Sequence, residues 1–416
     1  MSLNILDHLA LAYQPVWGPQ RQLAAVRLRV CALHPESVDA SHLLHLLAEE
    51  RQPHTPVLLV SFVDRALLLQ ALEMSPQEGV WIELPDEGEF VTEDLRQRTA
   101  LARHMGHQLV QCAPLARVRE RALAAQGQVA PGMHLLHLWP EEVALALRAA
   151  TDRGQGGQGL LRRTESPILS GQIYQNIGSG VLAAHCLDDR RAWGICDWPA
   201  DDVLHQHRHQ SIACDRSAVL RTLRALEQDL SMEEVEDRLH LDPVLTYRML
   251  RMVNSVGVGV SREVSSIRHA LMLLGMTNVR QWLNEQLAVA STEAALKPVR
   301  QAMVLRAQLM EYLMDAGLEH ELRAEIYTTG LFSRIDGLLQ EPLPEVLERI
   351  PLSGRINDAL LNHHGPYVSY LDVACHMEDP AAMADLPLIC HTHDFRLDDV
   401  NRALIRMLCH VRHNPV

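Results

Sequence analysis

The stretch Leu241–Trp282, LDPVLTYRMLRMVNSVGVGVSREVSSIRHALMLLGMTNVRQW, decides the fold of the second half of this chain. Asp242 suits an N-cap, because its carboxylate can accept from the free amides of a helix start, and Pro243 suits the first helical position, where no amide is needed. Leu245, Met249, Met252 and Val253 then fall on one face. Ser265 or Ser266 caps a second helix. Gly275 closes it at the position where the backbone turns left-handed and a residue without Cβ is favoured. Thr277–Leu283 begins a third helix. These are the signals of three packed helices, and none of them calls for a catalytic role.

Outward from this stretch the helical spacing continues, over Ala218–Leu230, Ser231–Leu239, Val299–Ala316 and Glu319–Leu339, with Ser231 and Glu234 forming a capping box. Toward the N terminus the period changes. Apolar runs at Ala12–Trp17, Ala24–Val30, Val57–Val63, Val80–Leu84, Gln108–Cys112 and Met133–Trp139 read as strands. Helical segments Ala66–Glu73, Thr92–Met105, Arg117–Ala125 and Pro140–Thr151 lie between them. Such alternation implies βα units and a mostly parallel sheet closed as a barrel. The expected organisation is therefore α/β plus all-α: a barrel domain over residues 1–200, a polar His-rich linker over 201–216, and a helical domain with a C-terminal helical extension over 217–416.

A chain of 416 residues is long enough for each domain to bury its own core. Aromatic residues are 4 % of the total, so Leu, Ala and Met must fill the interiors. The formal net charge of −14 argues against a general binder of DNA or of anionic membranes, which needs clustered Lys and Arg. No apolar run approaches the roughly 18 residues that span a bilayer, and the eight cysteines are scattered without CxxC spacing. A cytoplasmic protein with reduced thiols is expected.

The pattern DP-x-L-(x)7-VNS…SSI-x-x-A-(x)3-LG-M, carried by Asp242, Pro243, Asn254, Ser255 and Gly275, resembles the HDOD family. That family is helical and related to HD and HD-GYP metal phosphohydrolases, typically without their metal ligands. In an HD enzyme a His-Asp pair ligates cations that activate water. The helix resembling that place, TTGLFSRID at Thr328–Asp336, has Ser333 and Arg334 at the corresponding positions, so the resemblance implies a site opposed by a positive charge.

The opening YQPVW at Tyr13–Trp17, which includes Gln14, resembles the first strand of EAL domains, modified βα barrels that hydrolyse cyclic di-GMP with divalent metals. That resemblance covers roughly residues 9–200. It places the namesake Glu-Ala-Leu on Val26, Arg27 and Leu28, a second-strand asparagine near Ser61, and a third-strand glutamate on Glu83. The paired aspartates fall on Gln111 and Cys112 and the catalytic lysine near His137. Arg162 and Glu165 stand in for a later acidic pattern, and Trp193-Gly194 for a Gln-Gly pair. Two metals need several converging carboxylates. The resemblance thus implies a degenerate EAL-type βα barrel with no catalytic residue, metal or cofactor.

Four other patterns are better explained structurally. Gly154, Gly156 and Gly159 spell GxGxxG but follow a helix, where a nucleotide loop would follow a strand. His205, His207 and His209, beside Asp201, Asp202 and Cys214, read as a solvated linker. Cys390, His391, His393 and Asp394, with Cys409, His410 and His413, have zinc-type ligands without zinc spacing. The pair Ser231–Leu239 and Asp242–Val253, bearing Arg248 and Arg251, mimics a helix-turn-helix, yet such pairs recur throughout helical folds. The expectation is a catalytically inactive signalling scaffold in cyclic di-GMP-linked bacterial signalling, whose partners are other signalling proteins, with no DNA and no membrane. The alternatives are a receptor that binds cyclic di-GMP without cleaving it, and a metal-dependent phosphohydrolase.

Overall fold

The computed structural model describes residues 5–34, 38–86, 92–124, 132–154, 164–255, 264–314 and 320–411. The chain divides into two compact units, Met1–Asp202 with His376–His410, and Val203–Cys375 with Val411–Val416.

In the first unit eight strands close into a barrel in sequence order. They are β1 Leu9–Trp17, β2 Leu23–Ala32, β3 Val57–Phe62, β4 Val80–Leu84, β5 Gln108–Pro114, β6 Met133–His137, β7 Ile173–Gln175 and β8 Gly194–Cys196. β1 runs antiparallel to both β2 and β8, and the other pairs are parallel. The reversal follows from the connection. The short link 18–22 can make only a hairpin, whereas later strands are joined by helices long enough for a parallel crossover. Those helices include Ala40–Glu50, Arg65–Glu73, Glu93–Met105, Leu115–Ala124 and Pro140–Gly154. Strands β7 and β8 were not expected from the sequence, because three residues are too few to show a period.

Inside the barrel an apolar layer is built from Val16, Ala25, Leu59, Val110, Leu135, Ile173 and Cys196, with Trp81 packed against it. Successive side chains of a strand face opposite ways, so residues two positions further along share the same interior. That rule places the next layer.

The division differs from the expected one at the C terminus. Helix Leu397–Cys409 packs on β1 and on the 3-10 turn Ile5–His8, burying Val400, Leu404 and Leu408. Fully buried Asn401 donates from Nδ2 to the carbonyls of Leu6 at 2.8 Å and Leu9 at 2.7 Å. Thr55 Oγ1 donates to the Cys409 carbonyl at 2.6 Å. The extension expected to join the helical domain therefore belongs with the barrel. The start of the expected linker is the helix Ala200–Gln206, which carries His205, and His207 Nδ1 lies 2.8 Å from the Val203 carbonyl.

The second unit is helical, beginning Arg216–Glu227, Met232–His240, Pro243–Val253 and Ile267–Val289. Ser231 and Glu234 form the capping box reciprocally. Asp242 accepts from Leu245 N at 2.8 Å through Oδ1 and from Asp215 N at 2.7 Å through Oδ2. Buried Arg300 lies close to both carboxylates, 3.8 Å from Asp215 and 3.7 Å from Asp242. Ser266 caps the next helix, and Gly275, at φ 71°, interrupts it where a C′ glycine was expected. Gly330 is needed for close packing of helix His320–Phe332 on Leu296–Leu313, since a Cβ there would come 2.7 Å from the Ala307 Cα. Among the described residues no helix is long and apolar enough to cross a membrane.

Candidate functional site at the barrel mouth

Two residues beyond the apolar layer, toward the C-terminal ends of the parallel strands, the interior turns polar. Counting from Ala25, Leu59, Trp81, Val110, Leu135 and Ile173 gives Arg27, Ser61, Glu83, Cys112, His137 and Gln175. Reversed β1 contributes Gln14, counted back from Val16 and paired in register with Arg27.

At the centre, Arg27 donates to Glu83 from both Nε and Nη2, each at 2.6 Å. Both side chains are only 7 % exposed. Arg27 Nη1 also reaches Gln14 Oε1 at 3.0 Å and Gln175 Oε1 at 3.3 Å. Gln14 in turn donates to Asp197 Oδ2 at 2.9 Å. Burial alone would lower the pKa of Arg27, but the charge and hydrogen bonds of Glu83 outweigh it and raise the guanidinium above its ordinary value. Burial pushes the Cys112 thiol up to about 11, with the Glu83 charge adding to the effect. Burial also raises the Asp197 carboxyl above its usual range. Asn176 and Asp197, just past β7 and β8, hold left-handed backbone at φ 61° and 56°, a conformation stored where the surrounding structure imposes it.

The structure brings together Gln14, Ser61, Glu83, Cys112 and His137 of the expected positions. Val26 and Gln111 stand outside the group. Val26 lies one residue from Arg27 and so faces away from the interior, and Gln111 lies one residue from Cys112. The Gln111 amide donates to the Pro85 carbonyl and lines a flank cavity of about 180 Å³ with Arg103, Arg117 and Arg121. Arg27 is the member of this group that alignment by motif missed. Its signal was available: it stands two residues from Ala25 in an otherwise apolar stretch of strand, where a buried arginine must find a partner.

An active EAL domain would hold two divalent cations at this place, and the donors present here do not suit them. Both oxygens of Glu83 are engaged by a guanidinium, and the neighbours are a protonated thiol, an amide, a hydroxyl and an imidazole. Among the described residues no group of three or more His, Cys, Asp or Glu could hold a metal.

The other expected positions serve packing. Asn254 Nδ2 donates to the carbonyls of Leu250 at 2.7 Å and Val264 at 2.8 Å, while its Oδ1 accepts from Val264 N at 2.9 Å. Ser255 Oγ donates to the Met252 carbonyl at 2.7 Å. Pro243 sits in the first helical turn. Ser333 Oγ donates to the Gly330 carbonyl at 2.7 Å and accepts from Arg306 Nη1 at 2.9 Å. Arg334 is exposed, so the cation beside Ser333 is Arg306 from the preceding helix and not Arg334 as expected. Cys390 and Cys409 are buried, and burial pushes each thiol up to about 11. Arg162, Gly156, Gly159 and His413 lie outside the described residues.

Residues 216–350 match the HDOD domain family. Over 184 residues the chain is 29 % identical to cyclic di-GMP phosphodiesterase CdgJ of Vibrio cholerae, covering 43 % of this chain and 41 % of that protein. Over 146 residues it is 27 % identical to the uncharacterized protein YuxH of Bacillus subtilis, covering 34 % of this chain and 36 % of that one. The matched stretch is thus less than half the length of either relative. Among solved structures, the MmoQ response regulator of Methylococcus capsulatus is similar at 18 % identity with a TM-score of 0.36, covering 47 % of this chain and 98 % of that one, too slight a likeness to argue from.

The helical unit therefore contains an HDOD domain, and the closed barrel precedes it. One expectation is corrected. The chain was read as no enzyme because expected ligands are missing, yet its relative in Vibrio cholerae is named a phosphodiesterase. Two of the positions used for that reading, Val26 and Gln111, do not face the mouth at all, so their identity could not decide the matter.

Proposed function

We propose that the chain is a regulator in cyclic di-GMP-linked signalling, an EAL-related barrel joined to an HDOD domain, that acts through the proteins it binds. The similarity to a named cyclic di-GMP phosphodiesterase and the HDOD match support the pathway. The reversed β1 agrees with the modified barrel that YQPVW implies. The observation that carries the reading is the use made of the HDOD signature. Asp242, Asn254 and Gly275 hold helix ends and a loop, and Ser333 is bonded to Arg306. What remains for recognition on that unit is its surface, where Met272 and Leu273 are 58 % and 48 % exposed beside the Gly275 break.

Crosslinking of the tagged full chain in the cells that encode it tests the reading. One protein recovered in comparable amount, and lost with Met272→Ser/Leu273→Ser, is the expected outcome. A chain recovered alone that also turns over cyclic di-GMP would overturn it. A second reading, cyclic di-GMP held at the barrel mouth, is favoured by the polar layer around Arg27. Calorimetric titration should then show saturable heat, and silence at high micromolar ligand removes it.

A further inference from the structure

Strand β5 turns Val110 to the barrel interior, so Leu109, Gln111 and Ala113 face outward, toward the helices. The ring of helices is uneven there. Helix Ala40–Glu50 packs on Arg65–Glu73, and Arg65–Glu73 on Glu93–Met105, but Glu93–Met105 and Leu115–Ala124 are not packed so closely. Between these two helices and the outer face of β5 lies the flank cavity of about 180 Å³. Part of its wall is apolar, from Leu109, Ala113, Val118 and Met133. Barrel flanks are ordinarily filled by side chains of that kind, packed without voids.

The rest of the wall is cationic. Arg117 and Arg121, four residues apart, share one face of their helix, and Arg103 reaches the same space from the other helix. Among the described residues Asp86 is the one carboxylate in the lining, and it is paired with Arg117. Arg103 has no side-chain hydrogen bond or ion pair among the described residues. Three guanidiniums against one carboxylate leave two positive charges, in a chain whose net charge is −14. A recess of one sign with apolar walls concentrates its field and draws counter-ions into it. A second recess, of about 280 Å³, shares Arg103 and Gln111 with the first and is lined mainly by Leu84, Pro85, Leu95 and Ala100.

We propose that this flank cavity binds a dianionic phosphate monoester, with the phosphate among Arg103, Arg117 and Arg121 and the esterified group in the adjoining recess. Two uncompensated charges match a dianion, and the planar guanidinium fork matches phosphate oxygens two at a time. The space is roughly ten times what one enclosed water needs, enough for a phosphate and part of its ester group. Leu84 and Leu95 then cover the apolar body of the ligand, while the arginines fix its orientation. Gln111 and Cys112 are neighbours on opposite faces of β5, so the cavity lies outside the barrel and is independent of either reading of the mouth.

Calorimetric titration of the full chain with phenyl phosphate tests the site, at a pH well above the second pKa of the ester, about 6. Saturable binding is expected. It should weaken by about tenfold or more in Arg103→Gln and in Arg121→Gln, each of which removes charge-assisted hydrogen bonds. Arg396→Gln, which removes an exposed charge elsewhere on the barrel unit, should bind as the wild type does. Arg103 and Arg121 are exposed, so both variants should keep the wild-type fluorescence melt. Inorganic phosphate should compete with phenyl phosphate, and dimethyl phosphate, a monoanionic diester, should bind far more weakly. No saturable heat with phenyl phosphate, unchanged affinity in both arginine variants, or a diester bound as tightly as the monoester would each overturn the site. Displacement of phenyl phosphate by cyclic di-GMP would move the ligand to the mouth and overturn it as well.

Discussion

Arg27 and Glu83 show how one residue can set the character of a site. Each charge is buried, and each is tolerable only because the other is there. Exposed pairs such as Arg396 with Asp399 contribute at most about 1 kcal/mol. Glu83→Gln should behave differently, because it strands a guanidinium inside the barrel. The expected loss is about 3–5 kcal/mol of stability, measured by urea denaturation. Tryptophan fluorescence is a suitable probe, since Trp17, Trp81, Trp139, Trp193 and Trp198 belong to the barrel unit and Trp282 alone to the other. A loss below about 1 kcal/mol would mean that water or a rearranged partner reaches Arg27. At this scale the sequence was half legible. The resemblance singled out Glu83, but it placed the motif's glutamate on Val26, one residue before the arginine that pairs with Glu83.

Among the elements, the helix pair around Asn254 shows why the signature could be read so directly. Capping is local chemistry, decided within a few residues, so Asp242, Ser266 and Gly275 act in the structure as their positions suggested. Asn254 extends that logic to a loop, binding Val264 through both its amide and its carbonyl. Asn254→Ala should leave the buried Val264 backbone unpaired and cost about 2–3 kcal/mol, read from the far-ultraviolet thermal transition. A change within experimental error would show that water replaces the clamp. Strands β7 and β8 were illegible for the opposite reason. Each spans three residues, and what makes them strands is the barrel they close.

For the whole molecule, the placement of residues 376–410 matters most. Helix Leu397–Cys409 is amphipathic on any reading, but amphipathicity does not say which apolar surface it covers. The structure seats it on the barrel, where Asn401 satisfies the carbonyls of Leu6 and Leu9. A chain ending at Cys375 should therefore lose the cooperative fluorescence transition of the barrel while keeping a helical far-ultraviolet spectrum. An unchanged fluorescence midpoint would show that the barrel stands without this helix. By itself the sequence determined the helical spacing, the caps, the six longer strands and the acidic balance, all of which follow from local periodicity and composition. Tertiary structure alone decided the short strands β7 and β8 that complete the barrel, the side of β2 that Arg27 faces, its union with Glu83, and the unit to which the last helix belongs. Those outcomes depend on register and on contacts between residues far apart in the chain, and a one-residue change of register turns every side chain of a strand to its other face.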